Sequence, residues 1–314
     1  MLPRRAANSV GGLGRKTRLS RLNPVALRLR VAKLVLAVRR DARAGCLAPP
    51  ATYQPFLARR GADILLDLAD EPVPRPPRSA LLFSSGGLWR VYRFDDGLLY
   101  QFHSPACDPS DYKAVSIDAA RRRGRLYFPR PRGRGPRLAL DHPLDELLFQ
   151  HRLAQDGDIE VHACGLVVAG KALLFCGQSG AGKSTTARLW RRQRPRSLIL
   201  NDDRIVVRQT LGTWRAWGTP WHGDAGCVSA ASRPLGALFF LQQARQTSVA
   251  RLAPAEAGGR LFALTFYPPW EGESVARALD TCAKIATQVP SYLLRFRPDA
   301  SAVDAVLAVP KRKR

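Results

Sequence analysis

Apolar positions in the second half of this chain come in short runs, each followed by an amphipathic or polar stretch. Residues 172–176 are continuously apolar, as a strand covered on both faces requires, and the segment from Lys183 to about residue 192 reads as a helix, broken at 193–196. Residues 197–201 and 237–241 repeat the buried-strand pattern; 159–163, 166–168 and 204–208 also read as strands. Helices are expected at 143–154, with Leu144, Leu147, Leu148 and Leu153 inward, and at 301–308. This alternation predicts an α/β unit over residues 138–308.

Upstream the pattern shortens. Residues 80–84, 88–94, 98–103 and 125–128 read as strands, separated by turn chemistry at Gly86-Gly87 and Asp95-Asp96-Gly97. A small, mainly β N-terminal domain is expected over 62–128, joined by an exposed linker at 129–137. Residues 23–45 suggest an amphipathic basic helix. Asn23 would cap it, Pro24 would open it, Leu27, Val31, Leu34, Val35 and Val38 would form its stripe, and Gly45 would end it. Packing on the next domain is the favoured role of that helix; a membrane-surface role and a targeting role stay open. Residues 1–22 read as a disordered basic tail and 309–314 as a second basic tail.

A length of 314 residues, 46% of them hydrophobic, suffices for a core without disulfide or metal staples. The formal charge of +25 is carried mostly by arginine. Eleven Lys or Arg precede the first acid, Asp41, and a second cluster lies at 121–137. No zinc-finger, helix-turn-helix or RNP-type pattern accompanies this charge, so solvated charge is favoured and no specific nucleic acid is implied. Six dispersed cysteines lack metal-ligand spacing and read as reduced thiols of a cytoplasmic protein; no apolar run is long enough to span a bilayer.

The sharpest signal is Gly177-Gln178-Ser179-Gly180-Ala181-Gly182-Lys183-Ser184, a complete G-x-x-x-x-G-K-[ST] loop between an apolar strand and a helix. Its glycines allow successive backbone N–H groups to turn onto phosphate oxygens, and the helix that follows aims its positive end at the same anion. Lys183 supplies a point charge to the β- and γ-phosphates of ATP, and Ser184 offers a hydroxyl to Mg²⁺.

One helix later comes Leu198-Ile199-Leu200-Asn201-Asp202-Asp203-Arg204, a short apolar strand carrying two acids at its C-terminal end, where open α/β sheets place ligands. That strand is expected to return beside the loop strand. One carboxylate can hold Mg²⁺ and the other accept a hydroxyl proton; the plain alternative is an Asp-Asp turn that merely ends a strand.

Val161-His162-Ala163, residues 177–185 (GQSGAGKST) and Leu200-Asn201-Asp202-Asp203-Arg204, in that order, resemble the HPr serine kinase/phosphorylases and, more distantly, the ATP-dependent phosphoenolpyruvate carboxykinases. The resemblance spans about residues 144–208. It implies a P-loop kinase domain of the HPr kinase C-terminal or carboxykinase-like type, with Asp203 as the base, Asp202 assisting the metal, Thr185 in the nucleotide loop and His162 in the active site. The family's Glu-Ile-Arg-Gly signature has no counterpart. In its place stands Gly218-Thr219-Pro220-Trp221-His222-Gly223-Asp224, similar to a branch that phosphorylates modified peptides such as lasso-peptide precursors. Asp224 would then replace the missing metal carboxylate, and His222 or Trp221 would meet substrate, unless the segment is a turn around a packed Trp. The expectation is an ATP- and Mg²⁺-dependent kinase of a hydroxyl on a peptide or protein. A kinase of a small hydroxy compound and a non-catalytic nucleotide-binding regulator stay open, as does a homo-oligomer.

Overall fold

The computed structural model describes residues 25–40, 49–104, 108–129 and 138–309. The expected tail at 1–22, all but residue 309 of the expected tail at 309–314, and most of the linker at 129–137 lie outside them.

An eight-stranded sheet comes first, built from β1 (Val25–Val31), β2 (Leu34–Arg40), β3 (Ile64–Ala69), β4 (Leu81–Ser84), β5 (Trp89–Phe94), β6 (Gly97–Ser104), β7 (Asp108–Ile117) and β8 (Arg123–Tyr127). Their spatial order is β1-β2-β3-β8-β7-β6-β5-β4, antiparallel except for β2–β3 and β3–β8. The helix expected at 23–45 is therefore wrong wherever that segment is described: β1 and β2 are a hairpin, with Val31 opposite Leu34. Leu27, Leu29 and Val31 alternate inward, a period of two that coexists with the helical spacing. Two facts decide the competition. β3 offers β2 a parallel partner, and Ala32 and Lys33 accept positive φ (48° and 73°), the mirror-image turn that suits strand twist. Neither residue announces such a turn, so the hairpin was invisible to sequence reasoning. β7 was likewise not expected.

Helix α1 (Leu144–Asp156) follows and ends on Gly157 in the left-handed conformation. Its Leu144, Leu147, Leu148, Phe149 and Leu153 join the core of the first sheet, with Leu29, Leu36, Tyr100 and Leu126. The helix expected to open the second unit thus packs into the first.

The second sheet contains β9 (Ile159–Val168), β10 (Lys171–Cys176), then after α2 (Lys183–Gln193) β11 (Ile199–Asn201), β12 (Arg204–Thr210), β13 (Thr213–Gly218), β14 (Ser232–Gln243) and β15 (Ser248–Arg251). Helix α3 (Pro254–Phe262), β16 (Thr265–Phe266), α4 (Gly272–Gln288), β17 (Ser291–Phe296) and α5 (Ala300–Ala308) complete it. β14 is shared: its start pairs with β13, and its remainder runs parallel between β10 and β17. α3 and α4 pack on one core, which includes Val161, Leu174, Leu238 and Ile285; α2 and α5 close another around Phe175, Trp190, Phe239 and Phe296. The molecule is a mixed α/β fold of two large sheets. No helix among the described residues is long and apolar enough to cross a membrane. The described cysteines, Cys164, Cys176, Cys227 and Cys282, are buried free thiols.

A polar staple joins the two halves. Glu271, just before α4, takes 2.7 Å and 2.6 Å contacts from His151 of α1 and from Arg121 beside β8, and the Tyr100 hydroxyl of β6 reaches the other His151 nitrogen. Burial pushes the Glu271 carboxyl up, but His151 and Arg121 outweigh it and hold it at about 2. Its stabilisation is therefore complete above the ordinary glutamate range and fades as pH falls towards 2.

Two outcomes are expected. Lys33→Gly raises the melting temperature, because glycine takes positive φ freely; in a helix the same change would cost about 1 kcal/mol and lower it. Glu271→Gln lowers urea stability at neutral pH and flattens its decline between about pH 5 and 2 relative to the unsubstituted chain.

Candidate functional site

β10 runs apolar and straight into the Gly-rich loop, as its sequence demands, between antiparallel β9 and parallel β14. Gly182 has φ 109°, and a Cβ there would lie 2.5 Å from the Phe296 ring; no other residue lets the loop pass β17 and enter α2. Lys183, the first residue of α2, is buried. Its ammonium donates to the carbonyls of Gly177 and Gln178, 3.0 Å each, and lies 3.4 Å from Asp203 Oδ1. Burial lowers its pKa, with Asp203 pulling the other way.

The Asp-Asp strand does not return beside β10. β11 pairs with β9, which intervenes, so the acids arrive one strand further over than expected. The reason is the β9–β10 hairpin, which occupies that edge of the loop strand. β9 nevertheless carries His162 to the gap, where its Nε2 lies 2.9 Å from Asp203 Oδ1.

The two carboxylates have different surroundings. Asp202 is completely buried. Its Oδ1 accepts from the backbone N–H groups of Gly223 (3.2 Å) and Cys227 (3.1 Å); its Oδ2 accepts from that of Ala225 (2.9 Å) and from the Ser184 hydroxyl (3.1 Å). A Cβ on Gly223 would sit 2.9 Å from Asp202 Oδ2 and 3.4 Å from Ser184 Oγ, so glycine is needed for this close approach. Asp203 instead faces the loop. Burial would raise its pKa, but His162, Arg204 and Lys183 together hold it at about 2.

Asn201 fixes that divergence. Its Oδ1 accepts from the N–H groups of Asp203 (2.7 Å) and Arg204 (2.9 Å), closing an Asx turn, while Nδ2 donates to the carbonyls of Thr219 and Trp221. Sequence reasoning assigned Asn201 no role, although an Asn two residues before the second acid carries the signal. It also missed Glu146 and Phe266. Arg204, which pairs with Asp203, donates to Glu146 Oε1 at 2.8 Å and stacks 4.2 Å from the Phe266 ring. Behind them Glu160 is buried with neither oxygen hydrogen-bonded. Burial, and after it the neighbouring Glu146, push its pKa well up against the pull of Arg204.

The segment after β13 divides. Trp221 is buried, donating to Asp145 (3.0 Å) and packing on Phe149, so the contact with substrate entertained for it gives way to core packing. His222 is exposed, its ring N–H on the Gly223 carbonyl. Asp224 is exposed; among the described residues no three His, Cys, Asp or Glu form a metal cluster. Ser184 with Asp202 behind it still suits a magnesium ion, which takes few protein ligands beside phosphate and water. Gln178, Ser179, Gly180 and Ala181 form one wall of a cavity of about 480 Å³.

No family model matches this chain, and no curated protein matches it. Among solved structures it is similar to the HPr(Ser) kinase/phosphatase from Coxiella burnetii at 13% identity, over 47% of this chain and 88% of that one, with a TM-score of 0.29. A likeness that low carries no argument.

Removing the Asp202 carboxylate would strand three backbone donors. Asp202→Ala is expected to cost about 2–4 kcal/mol in urea unfolding, well beyond a surface substitution; a loss below about 0.5 kcal/mol would contradict the buried network.

Proposed function

We propose that this chain is an ATP- and Mg²⁺-dependent kinase that transfers the γ-phosphoryl group to a hydroxyl, in the first instance a serine of a peptide or protein. The observation that carries the reading is Asp203, held 2.9 Å from His162 and 3.4 Å from the loop lysine at the mouth of a complete phosphate-loop sequence. The sequence resemblance to the HPr serine kinases supports it, and the 218–224 segment favours a peptide acceptor. Action in the cytoplasm, where ATP and reduced thiols coexist, belongs to the same reading.

The loop's backbone N–H groups and the N-terminus of α2 bind the polyphosphate. Lys183 leaves the Gly177 and Gln178 carbonyls for the β- and γ-oxygens, which also separates it from Asp203. With one cation gone, the Asp203 carboxylate becomes more basic and accepts the acceptor hydroxyl's proton; His162 and Arg204 keep it aimed. The hydroxyl oxygen bonds to the γ-phosphorus, the bond to the β–γ bridging oxygen breaks, and ADP leaves with that electron pair. Ser184, oriented by Asp202, is the residue that would hold magnesium, with Asp224 as a further candidate; the bound ion supplies charge neutralisation on the phosphate oxygens.

Lys183→Ala is expected to abolish Mg·ATP uptake in calorimetry. Asp203→Asn should keep uptake within a few-fold while γ-³²P transfer into a serine-containing peptide pool falls by about 10²–10⁴. Transfer by Asp203→Asn at the unsubstituted rate rejects the base assignment.

A further inference from the structure

The cavity beside the loop has one charged residue in its wall. Arg260, on the last turn of α3, faces residues 177–181 across it. Chain geometry makes this opposition firm: the Leu264 carbonyl accepts from His162 N–H at 2.8 Å, and the His162 carbonyl accepts from Gly177 N–H at 3.2 Å. The end of α3, the catalytic histidine strand and the start of the loop are therefore laced together by backbone bonds. Gln243 ties the loop's far side by donating to the Gly180 carbonyl at 2.8 Å.

The resting position of Lys183 marks the first half of the loop as the end nearer a terminal phosphate. Lys183, the ligand of β- and γ-oxygens in loops of this type, rests on the carbonyls of Gly177 and Gln178. An anion held there meets Lys183 as its one committed cation, since Arg204 is engaged by Asp203 and Glu146. Arg260 is differently placed. Its side chain is 43% exposed, and its partner is Glu256, one turn back on the same helix, at 2.9 Å. An exposed i,i+4 pair contributes little, so a guanidinium can leave it for a phosphate at small cost. Arginine also suits the planar, bidentate contact that a terminal phosphate offers.

We propose that Arg260 swings from Glu256 across the cavity onto the terminal phosphate of the bound nucleotide, and so reads a triphosphate against a diphosphate. This deepens the kinase reading and rests on it. The charge it brings can meet negative charge on the transferring group.

Calorimetry on the full chain with Mg·ATPγS and Mg·ADP tests this, with circular dichroism confirming the fold of each variant. Arg260→Gln is expected to lose on the order of tenfold affinity or more for ATPγS and to stay within about twofold for ADP. Arg260→Lys should recover part of the loss, and Glu256→Gln should leave both affinities within twofold or improve ATPγS. Equal losses on both nucleotides place Arg260 on another part of the nucleotide and overturn the proposal, as does no loss on either. If the unsubstituted chain takes up neither nucleotide, the kinase reading itself fails, a result distinct from binding that is indifferent to Arg260.

Discussion

One buried carboxylate organises the candidate site. Asp202 would be costly to bury alone, and the chain compensates it with four donors: three backbone N–H groups from residues 223–227 and the Ser184 hydroxyl. Those donors come from two segments distant in sequence, so satisfying one charge clamps the segment after β13 and the first turn of α2 to the end of β11. The orientation of Ser184 follows from that closure, and Asn201 beside it sets the outward aim of Asp203.

Around it, charge alternates in depth. Asp203 is surrounded by His162, Lys183 and Arg204; Arg204 leans back on Glu146; His142 and Arg204 hold the Glu146 pKa down against the pull of burial, while burial and then Glu146 push that of Glu160 up. Such a ladder sets the basicity of the outermost carboxylate through groups that never face the cavity. It also reaches the first sheet. Glu146 and His151 lie on the same helix, α1, whose apolar face fills the first sheet's core while His151 holds Glu271 and Tyr100. The N-terminal half is thus a structural support of the Arg204 side of the site.

Legibility tracked the range of the interactions involved. The strand before the Gly-rich loop and the helix after it are locally encoded, because a continuous apolar run and helix periodicity act within a dozen residues; the structure places both as read. The hairpin at residues 25–40 was misread because its spacing satisfies two periods, and only a partner strand from residues 64–69 chooses between them. Trp221 fell between core and substrate for the same reason: Phe149 and Asp145, which bury it, lie more than seventy residues away.

The sequence by itself determined the groups available, namely a Gly-rich loop with the spacing of a phosphate-loop pattern, a lysine, a hydroxyl and two adjacent acids, since each depends on residue type and short spacing. Tertiary structure decided which way those groups turn and what they meet. Asp202 turns inward because donors from residues 223–227 wait there, and Asp203 turns outward because Asn201 pins its backbone and β9 delivers His162. Arg204, Glu146 and Phe266 join the site because distant segments fold against it, and no local pattern encodes a contact whose partner is supplied from elsewhere in the chain.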